Sequence, residues 1–308
     1  MSPLFINASS DFVAVNDGDA AALDLKPLVA EAVGPVRRIA RFIQLALIGA
    51  GRCGKQVELP KDAAVYLGSG RADLEITVEV MQALWRDGQA PKPLSFINTV
   101  SNAACFYVAQ GLKLTGRSSF VCNRYFAFES MLQLAALDLE CGFVGAALVG
   151  TVDVVVPPIA GHRVRLGLAA DRPVADASHW LFLDTQPSAT TLGRLLAAEH
   201  CVDEAALRAW LARQSLERSW HLATGQFMSA EEASEWQREL GMQPFDYRAG
   251  RAYYDSQSGA AIGEYLRREQ GTLLHLNRDP GGRYSVMVVE KEGMAAQKDA
   301  MGVEKAAT

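Results

Sequence analysis

Apolar positions follow two different periods along this chain. Residues 4–7 read as a strand and 12–15 as a strand or a turn, followed by a polar stretch to about residue 35. Over 36–47, Ile39, Phe42, Ile43, Leu45 and Ala46 recur at helical spacing. The short apolar run 63–67, closed by Gly68-Ser69-Gly70, predicts a buried strand. Residues 73–85 predict a helix with Asp73 as N-cap and Leu74, Val78, Met81 and Leu84 on one face. A small-residue helix over 103–112, a strand over 119–122 and an apolar helix over 126–139 follow. The run 145–150 then has the continuous apolar content of a fully buried strand. Strands alternating with helices at this spacing predict an α/β fold with a mixed or parallel sheet. Further on, 180–183 reads as a strand, 192–240 as largely helical, and 259–268 as a helix. The chain then reads as a hairpin, 273–276 and 284–289, turning at Asp279-Pro280-Gly281-Gly282. The Ala-, Lys- and Glu-rich residues 291–308 read as a disordered tail.

The composition, 49% hydrophobic and 21% charged, is that of a globular chain with ample material for a core. A formal net charge of -5 argues against nucleic acid as a partner. No apolar run reaches the roughly 18 residues of a membrane span. The N-terminus lacks the basic and apolar regions of a signal peptide. The odd set of five cysteines (53, 105, 122, 141, 201) holds no CxxC pair. That argues against a disulfide framework or structural zinc and fits a cytoplasmic location. The five histidines (162, 179, 200, 221, 275) show no metal-ligand spacing.

Residues 116–150 resemble the core of the β-ketoacyl synthases of the thiolase superfamily. In that family a Gly precedes a strand, and a sharp turn then places a nucleophilic Cys at the start of a long buried helix. A Gly ends that helix, and a small-residue strand follows. Gly116-Arg117-Ser118-Ser119-Phe120-Val121-Cys122-Asn123-Arg124-Tyr125 aligns with this pattern without gaps, followed by Glu140-Cys141-Gly142 and Ala146-Ala147-Leu148-Val149-Gly150-Thr151. Gly259-Ala260-Ala261 and Asp279-Pro280-Gly281-Gly282 are similar to two late glycine-rich motifs of the family. The resemblance covers residues 60–185 well and 250–290 weakly. It implies a thiolase-like layered fold of mixed sheet and helices in one domain. That domain would have two halves, about 1–185 and 186–290, the second shortened.

The departures bear on function. Tyr125 stands at the thiol position, and a phenol of ordinary pKa near 10 is no substitute for a thiolate. Ser256 stands at the position of one catalytic His, in Arg251-Ala252-Tyr253-Tyr254-Asp255-Ser256, where the family's nearby Lys is also missing. His221, in His221-Leu222-Ala223-Thr224-Gly225, is similar to the other His motif, but its flanks read as helical where the motif needs a strand. The resemblance therefore implies no catalytic residues at Tyr125, Ser256 and His221. It implies a chain-length factor, like those of type II polyketide, aryl polyene and other bacterial polyene or fatty-acid-like pathways. Such a subunit needs no cofactor, pairs with an active ketosynthase and meets an acyl carrier protein through the complex. The residues expected at the interface or tunnel are Ser119, Phe120, Val121, Cys122, Tyr125, Phe126, Phe128 and Glu129.

Plainer readings stand beside these. Cys122 is a displaced nucleophile or a buried strand cysteine, and Cys105 has the same two readings, so an active acyltransferase or condensing enzyme using either thiol with His221 is the alternative function, and a stand-alone acyl- or acyl-carrier-protein-binding module is a third. Glu129, on an apolar helix one turn from Tyr125, lines the interface or forms a buried pair with Arg124 or another Arg. Asn123-Arg124-Tyr125 could serve only to cap the helix, and the aromatic residues around it could simply be core. His275 reads as a strand residue with one satisfied ring nitrogen.

Overall fold

The computed structural model describes residues 4–16 and 22–291. Among the described residues ten strands form one mixed sheet, accompanied by ten helices. In chain order the elements of the first half are β1 (Leu4–Val15), α1 (Lys26–Val33), α2 (Arg41–Gly54), β2 (Ala64–Ser69), α3 (Leu74–Trp85), α4 (Pro93–Ile97), α5 (Ala103–Leu112), β3 (Ser118–Cys122), α6 (Ala127–Glu140), β4 (Ala146–Asp153), α7 (Ile159–Leu166) and β5 (Ala175–Asp184). The second half adds β6 (Gly193–Cys201), α8 (Glu204–Leu211), β7 (His221–Thr224), α9 (Ala230–Leu240), β8 (Gln243–Pro244), α10 (Ser258–Arg268), β9 (Gly271–Arg278) and β10 (Tyr284–Lys291).

The sheet order is β3-β2-β4-β5-β1-β6-β10-β9-β7-β8. Numbered within each half, both halves read 3-2-4-5-1 from edge to centre. They meet at the antiparallel pair β1 and β6. The parallel pairings also recur, β2 with β3 and β4, and β7 with β8 and β9. This internally repeated sheet is the mixed α/β sheet that the strand spacing anticipates, with the helices layered on it as the resemblance implies.

Side chains alternate across the sheet and divide its core in two. Val65, Leu67, Leu148 and Phe182 meet α2 and α5 on one face. Their neighbours Tyr66, Ala147, Val149 and Leu181 meet α6 and α10 on the other. In the second half Leu222, Leu274, Leu276, Val286 and Val288 bury against Trp210 of α8 and Trp236 of α9. Gly150 must lack a side chain, because a Cβ there would lie 2.2 Å from the buried Trp180 ring.

Several expectations are corrected. β1 is one continuous strand with a register shift between Ile6 and Ala8, not two segments. The polar stretch before residue 35 contains α1. The helix placed at 36–47 begins only at Arg41 and runs to Gly54. The region 192–240 contains strands β6 and β7 as well as two helices. Leu195, Leu196, Ala197 and Ala198 suit a helix by propensity, but pairing with β1 and β10 overrides it. The face of α3 that carries Leu74, Val78, Met81 and Leu84 is only partly covered: Leu74 and Val78 are half-buried, Met81, Leu84 and the neighbouring Trp85 are exposed, and Val80 is the one buried residue. Asp73 does not cap α3 through its side chain; it accepts hydrogen bonds from the hydroxyls of Thr77 and Ser101 instead. The tail expected over 291–308 lies outside the described residues, except for Lys291, which closes β10.

Candidate functional site

The turn from β3 into α6 is built by Asn123. Its backbone N–H extends the ladder to Ser69 (3.0 Å). Its side-chain oxygen accepts the N–H groups of Tyr125 and Phe126 at 3.2 and 3.4 Å, satisfying donors that the start of α6 would leave unpaired. Asn123 Nδ2 reaches Ser130 Oγ one turn into the helix, which in turn meets His200 of β6 at 3.3 Å. Asn123 thus closes the turn ahead of α6, while no side chain caps the helix itself.

Tyr125 lies half-buried at the tip of the turn, with the Arg124 guanidinium 5.5 Å from its ring centre and Phe227 edge-on at 5.0 Å. Three segments of the second half converge here. Asn277, at the end of β9, donates from Nδ2 to the Tyr125 carbonyl (3.2 Å) and to Glu129 Oε1 (2.8 Å). Gly225 follows β7 and passes so close to Asn277 that a Cβ would lie 2.0 Å from its Oδ1. Gln226 donates to the Asp255 carbonyl, in the segment leading to α10.

Glu129 is buried, and desolvation raises its carboxyl pKa against the hydrogen bonds that favour ionisation. The expected pairing with Arg124 is not made: its partner is the neutral amide of Asn277, and Oε2 has no hydrogen-bond partner among the described residues.

Ser256 is held by Asp153, at the end of β4, which accepts its backbone N–H at 2.7 Å and its hydroxyl. The same carboxylate accepts the Gly70 N–H at 2.9 Å. Asp255 beside it pairs with Arg71 at 2.7 Å. Burial, then the charge of Asp153, push its carboxyl up to about 6, opposed by Arg71 and Arg124. Behind this loop runs a partly buried chain: Asp11 Oδ1 to His179 Nδ1 (2.6 Å), and His179 Nε2 to the Tyr254 hydroxyl (2.9 Å).

His221 does lie on a strand, so the helical reading of its flanks is corrected. It opens β7, however, and it is the far end of that strand that leads to Gly225 and Phe227. The His221 ring meets the Tyr265 hydroxyl (3.1 Å) and the Glu269 carboxylate (3.8 Å) instead. The three positions Tyr125, Ser256 and His221 are therefore not gathered as a set, whereas Tyr125, Glu129 and Asn277 are.

Both candidate cysteines sit where the protonated thiol is favoured. Cys122 is exposed, which corrects its reading as a buried strand residue. Partial burial, then the carboxylates of Asp153, Asp73 and Asp255, raise its pKa, the opposite of what a nucleophilic thiolate needs. Cys105 is buried under β3 with Sγ 3.5 Å from the Ser119 carbonyl, and desolvation pushes it up to about 12.

Of the aromatic residues, Phe128 is fully buried beside Tyr66 and Met131. That removes it from any surface. Phe126 is buried with its ring 5.3 Å from His200, and Phe120 packs edge-on against Phe42. His275 is buried with Nε2 on the Tyr247 hydroxyl (3.0 Å) and Nδ1 unpaired among the described residues, as its strand position led us to expect.

β3 is an edge strand. Its inner hydrogen bonds include Val65 N–H to the Arg117 carbonyl and Asn123 N–H to the Ser69 carbonyl. The alternation of a parallel ladder therefore turns the backbone groups of Ser118, Phe120 and Cys122 outward. Ser118 and Cys122 are exposed, and Ser119, Phe120 and Val121 half-buried. Among the described residues no three His, Cys, Asp or Glu side chains are placed to hold a metal ion. No helix there is long and apolar enough to cross a membrane.

The missed residues Asp153, Asp255, Asn277 and Phe227 lie far apart in sequence, and no local spacing marks them. The exception is Asp255, which adjoins the Ser256 position.

Comparison with known proteins places this geometry. No protein-family model matches the sequence, and no curated protein matches it. By structure the chain is similar to the ishigamide ketosynthase/chain length factor, with a TM-score of 0.73 at 15% identity over 94% of this chain and 100% of that one. It is also similar to a β-ketoacyl synthase from Burkholderia phymatum STM815 (TM-score 0.70, 12% identity, 95% and 100% of the two chains). A third similar structure is a type II polyketide ketosynthase in complex with its acyl-carrier protein (TM-score 0.70, 11% identity, 94% and 100%). The chain thus has the fold shared by β-ketoacyl synthases and ketosynthase/chain length factor proteins.

Proposed function

We propose that this protein is a chain-length-factor-like subunit that pairs with an active ketosynthase in a cytoplasmic polyketide, polyene or fatty-acid-like pathway. It acts as one domain of two halves, about 1–185 and 186–290. The observation that carries this reading is the occupied turn before α6. Tyr125 sits there, hemmed by Arg124 and Phe227, while Ser256 is tied to Asp153. Condensation needs a thiolate to hold the acyl chain and donors to stabilise the charge left as CO2 departs. This turn offers neither. The open edge β3, with Ser119, Phe120, Val121 and Cys122, is the surface on which the partner lies, and the acyl carrier protein is met through the complex. Tyr125 faces the shared space, with Phe126 and Glu129 supporting it from behind.

Co-expression with an active ketosynthase encoded in the same gene neighbourhood tests the pairing: size-exclusion chromatography is expected to give a one-to-one complex. Mass spectrometry of the isolated chain after incubation with acyl-carrier-protein thioesters tests the loss of catalysis. No acyl adduct is expected, and a stable thioester on Cys122 or Cys105 overturns the reading in favour of an active acyltransferase.

A further inference from the structure

Between helix α9 and the β8 end of the sheet lies an open pocket of about 360 Å³, lined by none of the residues of the Tyr125 turn. Small-molecule sites begin at roughly this size, about 300–1,000 Å³. Its floor is apolar: the exposed Pro244 of β8 lies beside Leu222 and Phe245, both buried. Two arginines line it as well, Arg238 from the last turn of α9 and Arg248 from the segment after β8.

Neither arginine is neutralised. Among the described residues no carboxylate forms an ion pair with either guanidinium. Arg248 commits one donor, Nη1, to the Gly225 carbonyl (3.2 Å), which fixes the side chain and leaves the rest of its fork to the pocket. The acids nearby are turned to other tasks. Asp246 accepts the backbone N–H groups of Arg248 and Ala249 through Oδ1, at 2.9 and 3.1 Å. Glu232 and Glu239 of α9 pair with Arg278 and Arg208. Glu231 and Glu235 share the adjoining surface groove with Arg238 but do not pair with it.

Two unpaired guanidiniums beside an apolar floor describe a ligand with an anionic end and an apolar end. A planar carboxylate is matched by a single guanidinium fork. A phosphate monoester brings three acceptor oxygens and a charge of about -1.5 to -2, enough to engage two forks. We propose that this pocket binds a phosphate monoester with a small apolar or aromatic organic group. Arg238 and Arg248 hold the phosphate oxygens, and the organic group rests on Pro244 and Phe245. The proposal stands apart from the pairing reading, and its test needs no partner subunit.

Titration of the full-length chain in phosphate-free buffer, followed by calorimetry and by amide shifts in NMR spectra, tests this. Phenyl phosphate is expected to bind one-to-one and to shift amides over residues 222–248. Inorganic phosphate lacks the apolar group and benzoate the third oxygen, so each should bind about tenfold more weakly or worse. Arg238→Gln removes an exposed guanidinium that is bonded to none of the described residues, so the variant should melt like the parent and lose about tenfold in affinity. Arg248→Gln should lose at least as much. Because it also gives up the bond to Gly225, Arg238→Gln is the deciding variant. Arg86→Gln, on the opposite half of the molecule, should bind as the parent does. The proposal is overturned if phenyl phosphate does not saturate, or if inorganic phosphate or benzoate binds as tightly. It is equally overturned if Arg238→Gln leaves the affinity unmoved, or if Arg86→Gln lowers it as much, the mark of diffuse surface charge.

Discussion

β3 and β8 hold equivalent places at the two ends of the sheet. β3 has five residues, and its outward backbone groups, on Ser118, Phe120 and Cys122, are intact. β8 has two residues. Gln243 and Phe245 donate inward to the carbonyls of Trp220 and Leu222, so the outward position between them is Pro244, which has no N–H to offer. One edge is thereby open to another strand and the other is blunted, in the way natural sheets avoid edge-to-edge pairing. The flanks differ in the same sense. Beside β3 stand the exposed side chains of α3 and α4, whereas Trp236 of α9, next to β7, is buried. Two halves with one strand order thus end differently, one in an open edge and one in a blunted edge.

The most direct way to break this comparison is to blunt the open edge. Cys122→Pro removes an outward N–H without touching the bonds to β2. It should abolish the complex in size-exclusion chromatography while the circular dichroism and melting of the isolated chain stay near those of the parent. The core should show no such asymmetry. Phe128→Ala on α6 is expected to cost about 3–5 kcal/mol and Ile262→Ala on α10 about 2–5 kcal/mol, measured by urea unfolding, because both side chains are fully buried. A much smaller cost at one of them would mean that the halves differ inside as well as at their edges.

Smaller effects sharpen the junction between the halves. Gly225→Ala forces a methyl against Asn277 and should cost about 1–3 kcal/mol. The added loss should shrink in an Asn277→Ala background if that contact is its cause. Asp255 supplies a pH test. Its folded pKa, about 6, is raised above its ordinary value, so its contribution to stability is complete below about pH 4 and is lost as pH rises through about 6. Asp255→Asn should remove that part of the slope, read as the difference in urea midpoint between variant and parent across pH 4–7.

Much of this fold was legible in local sequence. The helix over α6, the buried runs of β2 and β4 and the closing hairpin follow from periodicity and turn residues, since each is stabilised by contacts its own pattern announces. β6 was not legible, because strand pairing with β1 and β10 outweighs the helix propensity of its Leu and Ala residues. The partial exposure of the α3 face was not legible either: an amphipathic pattern tells which residues share a face, but not how fully the rest of the chain covers it. At the site, the turn with Tyr125 was readable from the aligned glycines. Its partners were not, because Asn277 and Phe227 belong to the other half and reach it only where the two halves meet.

Pro244 has a consequence for stoichiometry. A sheet with two free ends is bifunctional, as a monomer is in polymer chemistry: each addition leaves another end to extend, and growth gives filaments. With β8 capped, the chain has a valence of one. It can end a growing sheet but cannot continue it, so any assembly through β3 would stop at a closed pair whatever the protein concentration.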